Sequence, residues 1–144
     1  MKTLKLTLLT IITACLTFSC SSDDDSPTKS NAELIIGTWK WTEETEDGTN
    51  EVLDECDLLD TLTFTDTQVS YVSHFKENQN ATTCSSITLN DIYSINGNSI
   101  TSDVELADTN TYEIVTLNST TLVLKFEETF NNETTVYTNT FVKQ

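Results

Sequence analysis

Apolar and polar residues alternate with a period of two along most of the chain beyond residue 35. Leu62 and Phe64 stand between Thr61, Thr63 and Thr65. Val69, Tyr71 and Phe75 share one phase, as do Ile100 and Val104. Leu122, Leu124 and Phe126 alternate with Val123, Lys125 and Glu127. This period marks strands with one buried and one wet face. The pattern predicts eight of them, at 36–46, 60–66, 68–77, 87–95, 99–106, 110–117, 121–130 and 133–143. Asp66-Thr67, Asn96-Gly97-Asn98, Asn118-Ser119 and Asn131-Asn132 fall between runs. Asn and Gly tolerate the positive φ of tight hairpins. Short turns between neighbours give an antiparallel meander, and closure into a barrel removes its exposed edges. The fold class is therefore all-β, a single antiparallel eight-stranded meander barrel, with a two-sheet β-sandwich as the alternative. A barrel of this size is filled by side chains or holds one small ligand.

The first twenty residues follow another pattern. Lys2 and Lys5 precede an apolar stretch from Leu6 to Phe18. A basic start, a short apolar core and a small residue before a cut describe a secretory signal. A membrane-spanning helix needs about 20 apolar residues, and this run is shorter. Leu16-Thr17-Phe18-Ser19-Cys20 resembles a lipobox, in which the cysteine receives a diacylglyceryl group. Ile12-Thr13-Ala14-Cys15 is the alternative. Ser21-Ser22-Asp23-Asp24-Asp25 follows Cys20 and resembles the acidic tag that directs lipoproteins of Bacteroidota-type bacteria to the outer face of the outer membrane. That favours Cys20. The expected organisation is a signal peptide at 1–19, an acidic flexible tether at 20–32 with lipidated Cys20, and a β-barrel domain at 33–144. Ser and Asp bury no apolar area and repel one another, so such a tether stays extended. Several acyl chains on Cys20 anchor durably in membrane lipid, where one chain binds only marginally.

Charge narrows the partners. The chain has 7 basic and 23 acidic residues and a net charge of −16. Loss of Lys2 and Lys5 with the signal leaves five basic residues, all lysine, and a net of −18. That excludes nucleic acid, which is bound through phosphate neutralisation. Cys56 and Cys84 are the only cysteines in the domain. In an exported domain an even pair points to a disulfide. No CxxC spacing is present, and His74 is the only histidine, so no metal site and no cofactor are expected.

Leu34-Ile35-Ile36-Gly37-Thr38-Trp39-Lys40 resembles the opening of the small lipocalin-like domains of Bacteroidota-type outer-membrane lipoproteins. Leu53-Asp54-Glu55-Cys56, Thr61-Leu62-Thr63-Phe64, Cys84, the Tyr93 to Asn98 hairpin and Thr140-Phe141-Val142-Lys143 continue the likeness over about 34–143. The resemblance implies a barrel and says little about a ligand. Trp39 and Trp41 lie on one face of the first strand. With Phe64, Tyr71 and Phe126 they are the candidates for lining a cavity or closing a barrel end, and core burial is the plainer reading of the tryptophans.

Asp54, Glu55, Asp57 and Asp60 surround Cys56 but lack the spacing of a calcium loop, and read as a solvated loop. Glu43, Glu44, Glu46 and Asp47 read as a charged strand end and turn. His74 alternates with Val72, which puts it on an exposed strand face. No arrangement for catalysis emerges, so an enzyme is not expected. The function read from the sequence is a cell-surface binding module for a small apolar or sugar-like ligand. The alternative is a structural or accessory subunit of an outer-membrane assembly that takes no small molecule. The sequence names no protein partner.

Overall fold

The computed structural model describes residues 29–104 and 110–144. The signal segment, Cys15, Cys20 and the acidic run lie outside the described residues, as do residues 105–109. Nine strands are present among the described residues: β1 Gly37–Glu46, β2 Thr49–Asn50, β3 Thr61–Phe64, β4 Gln68–Phe75, β5 Ser85–Asn96, β6 Ser99–Ser102, β7 Thr111–Leu117, β8 Thr121–Phe130 and β9 Glu133–Lys143. A short helix, α1 Asn31–Ile35, precedes them, and a 3₁₀ turn covers Asp57–Leu59. Every pairing is antiparallel, in the order β2-β1-β3-β4-β5-β6-β7-β8-β9. β1 pairs with β9 as well, from Trp39 opposite Lys143 to Glu46 opposite Tyr137. That pairing closes eight strands into a barrel and rules out the two-sheet sandwich. β2 is an extra strand on the end of β1. It folds back through Asp47-Gly48, whose φ angles of 49° and 79° suit a two-residue hairpin. Asn131 and Asn132 make the equivalent turn between β8 and β9, at φ 51° and 67°.

Two elements depart from the alternation. α1 straddles the expected boundary between the tether at 20–32 and the domain at 33–144. Ser30 caps it: its Oγ accepts from the Glu33 N–H, and the Glu33 carboxylate accepts from the Ser30 N–H. The Ser30 N–H and the Ser30 hydroxyl, both donating to the Glu33 carboxylate, hold it below the usual carboxylate range. Asn31 then donates to Gly97 O at 3.0 Å and ties the helix to the β5–β6 hairpin. β6 is also shorter than the predicted 99–106. The Asp91 carboxylate accepts from the Asp103 N–H at 2.6 Å and from Ser102 Oγ at 3.2 Å. Those bonds draw the chain out of the ladder after Ser102.

The two barrel ends differ. The hairpins after β3, β5 and β7 gather at one end with α1, and this end is closed. Trp39 is fully buried there and donates through Nε1 to Ile35 O at 2.6 Å. Lys143 crosses above it, with Nζ 4.8 Å from the ring centroid and 3.1 Å from Leu34 O. Gly37 sits beside that lysine at φ 130°. A Cβ there would come within 2.8 Å of Lys143 Cε. The other end carries the β1–β2 and β8–β9 hairpins and the long connections after β2 and β4. The Cys56–Cys84 disulfide joins those two connections, with Cα atoms 5.7 Å apart.

Candidate functional site

Between the two ends, Leu62, Phe64, Val69, Ile100, Tyr112 and Leu124 pack the interior and leave about 10 Å³ of enclosed space. That is room for a single water at most. Larger depressions, of about 470 and 600 Å³, lie on the outside of the barrel and open to solvent. The packed middle of the barrel therefore has no room for a ligand among the described residues.

Strand register shows which side chains point there. Leu62 pairs with Tyr71 and Tyr71 with Leu89. Ser73 and Ile87, then Phe75 and Ser85, continue the same inward face toward the rim. Ile87 is nonetheless 50% exposed and Phe75 45%. They form an apolar wall that the described residues leave about half uncovered. On the other side, Phe126 pairs with Tyr137, and their rings stack at 5.2 Å. Tyr112 meets Phe126 edge-on at 5.7 Å. Trp41 stacks on Phe141 at 6.5 Å below them.

β1 bends into this region through a bulge. The pairing shifts between Trp41 and Glu43, so Glu43 stands opposite outward Thr140 and Glu44 opposite inward Asn139. The bulge turns Glu44 and Glu46 to the inside. Burial raises the Glu44 carboxyl above the usual range, and Asp57, Glu51, Glu46 and Glu128 add to the shift. Tyr137 is also raised, first by desolvation and then by Glu46, Glu128, Glu44 and Asp47. The acidic strand end that read as solvated thus forms part of the mouth.

Asp60 corrects a second reading. It is 1% exposed, not a solvated loop residue. Its Oδ2 accepts from Tyr71 OH at 2.5 Å, and Oδ1 accepts from the His74 N–H at 2.6 Å. His74 Nδ1 lies 3.1 Å from the same oxygen. His74 is therefore bound to a neighbouring element rather than free on a strand face. Burial chiefly, and then the Asp60 contact, push the Tyr71 hydroxyl well above its ordinary value. Of the other acidic residues of this loop, Glu55 stays exposed and pairs with Lys76, whereas Asp54 is structural. Asp54 Oδ1 accepts from the Cys56 and Asp57 N–H groups at 2.6 and 3.0 Å and caps the 3₁₀ turn. Among the described residues, no three His, Cys, Asp or Glu side chains converge to hold a metal ion.

The five aromatic candidates differ in burial. Trp39, Phe64 and Phe126 belong to the buried core, and Trp41 and Tyr71 are partly buried against it. Sequence reasoning missed Glu44, Leu89, Tyr137 and Asn139. Alternation marks Leu89 and Tyr137 as strand residues, but nothing in it reveals the bulge that brings Glu44 inward.

The model of the lipocalin-like domain matches residues 35–124, more than half of the chain. The chain belongs to the lipocalin-like domain family. Solved lipocalin structures share the fold at low identity. The bovine lipocalin allergen Bos d 2 superposes with a TM-score of 0.52 at 18% identity, over 79% of this chain and 75% of that one. Bovine odorant-binding protein, solved with its natural ligand, gives 0.50 at 18% identity, over 81% and 76%. Japanin from Rhipicephalus appendiculatus, solved with cholesterol, gives 0.51 at 10% identity, over 80% and 79%. No curated protein matches the sequence. In this lipocalin-like domain, the mouth lies at the end farthest from the α1 and Trp39 plug.

Proposed function

We propose that this lipocalin-like domain is a non-catalytic binding module for a small, largely apolar ligand, displayed on the cell surface by lipidated Cys20. The observation that carries the binding reading is the uncovered inward face of β4 and β5. Phe75 and Ile87 point into the mouth, yet about half of each is exposed. Apolar side chains on a concave face, ringed by a few polar groups, are the usual make-up of a ligand site. The odorant-binding protein and Japanin structures, solved with small molecules, support the reading by analogy.

The packed interior sets the depth. A ligand rests on Trp41, Tyr71 and Phe126 and goes no further. A fluorescent naphthalene probe should brighten on binding at this mouth. Ile87→Asp and Phe75→Asp, at already exposed positions, should abolish the brightening while the circular dichroism stays native. Brightening that persists in both variants would place the probe elsewhere and count against the mouth.

The surface reading is supported by the signal-like start, Cys20 and the acidic run after it. It predicts that Cys20→Ala abolishes incorporation of labelled palmitate, whereas Cys15→Ala leaves it intact. Protease added to whole cells should remove the domain. Protection until the outer membrane is broken would contradict outward display.

The accessory-subunit reading has its own observation. Phe130 is 78% exposed at the tip of the β8–β9 hairpin, and Val52, Leu58 and Leu59 are exposed on the same end of the barrel. A rim of this kind suits a protein contact, and the ligand experiments decide between the two.

A further inference from the structure

The floor of the mouth holds a polar atom with nothing to bond. Asn139 is 5% exposed, and its Oδ1 has no hydrogen-bond partner among the described residues. A bare buried acceptor is costly, which calls for a donor from outside the chain. Asn139 shares the inward face of β9 with Tyr137 and stands opposite Glu44. Glu46 stands opposite Tyr137, and Glu128 follows Phe126 on the inward face of β8. The polar side of the mouth is thus rich in acceptors.

No lysine is among the charges that act on Glu44. The charges acting on Glu44 are Asp57, Glu51, Glu46 and Glu128, all acidic. Lys76 is paired with Glu55, Lys125 with Glu113, and Lys143 lies over Trp39 at the closed end. A bound metal ion does not fit, because no three ligating side chains converge among the described residues. A cation that carries its own N–H donors and an apolar body does fit. Its donors can reach the amide oxygen and a carboxylate. The ring of Tyr137, stacked on Phe126, is a favourable neighbour for its charge. Phe75, Ile87 and Leu89 line the opposite wall for the rest of the molecule.

We propose that the mouth selects ligands bearing an organic ammonium group on an apolar body, with the ammonium held between Asn139 Oδ1 and the Glu44 carboxylate. This rests on the ligand-binding reading and names the ligand's chemical class. Three probes of equal length separate charge from apolar burial: octylammonium, octan-1-ol and octanoate. Each is titrated calorimetrically into the full chain in lipid nanodiscs, with empty nanodiscs as the blank, at one ionic strength and below its aggregation concentration. Octylammonium should bind about tenfold tighter than octan-1-ol, and octanoate should bind weakest. Glu44→Gln, which keeps the shape of the side chain, should bring octylammonium close to the affinity of octan-1-ol. Equal binding of amine and alcohol, preference for octanoate, or an amine preference that survives Glu44→Gln would each overturn the proposal. Those three results leave the ligand-binding reading standing. Failure of all three probes to bind would bring down that reading as well.

Discussion

Asp60 shows how one side chain sets the geometry of a whole barrel end. It follows the 3₁₀ turn that holds Cys56, and its carboxylate reaches across to Tyr71 and His74 on β4. A buried carboxylate is tolerable only when its lone pairs are filled, and these bonds fill them. Asp60→Ala would strand the Tyr71 hydroxyl and the His74 N–H. It should cost about 2–4 kcal/mol in urea denaturation, and an unchanged midpoint would contradict the tie. The same contact fixes a pH response. The Tyr71 hydroxyl titrates higher in the folded chain than in the unfolded one. Its stabilisation is complete below the unfolded tyrosine value of about 10 and is lost as pH rises beyond it. Tyr71→Phe removes that proton and should flatten the alkaline loss of stability.

At the scale of elements, strand alternation carried most of the fold. β8 and β9 occupy the predicted 121–130 and 133–143, because clear turns bound both and Leu122, Leu124 and Phe126 share one face of β8. The five-residue α1 is too short to show a helical period, yet Ser30 and Glu33 hold the spacing of a capping box. β2 was signalled only by Asp47-Gly48, a strong hairpin pair within an otherwise acidic run. The bulge after Trp41 was not legible, since Thr42 differs little from its neighbours in the first strand. The inward turn of Glu44 went unread with it. Asp60 and His74 are 14 positions apart and meet only through the β3–β4 pairing. The Cys56–Cys84 bridge was legible, because two cysteines allow one pairing. It closes a sequence separation of 28 residues and ties the connections that frame the mouth. Cys56→Ser with Cys84→Ser should lower stability by about 3 kcal/mol. A double variant that melts with the native chain would show that the rim needs no staple.

Among the described residues, one end of the barrel is plugged and the other leaves apolar and acidic side chains exposed. α1, Trp39 and Lys143 seal one end, and the packed middle leaves no room for a ligand. The two walls of the mouth differ in character. β4 and β5 offer apolar side chains, while β1, β8 and β9 offer aromatic rings and carboxylates. The net charge of −16 keeps such a surface apart from anionic polymers and lipid headgroups. It leaves small ligands and cationic groups as suitable company. The most direct test of the binding account is native mass spectrometry of the protein released gently from its own membrane. A reproducible extra mass that disappears on denaturation, and that is absent from Ile87→Asp, is the predicted result. A protein that carries no such dissociable mass, in every preparation, would contradict the account and favour the accessory-subunit reading.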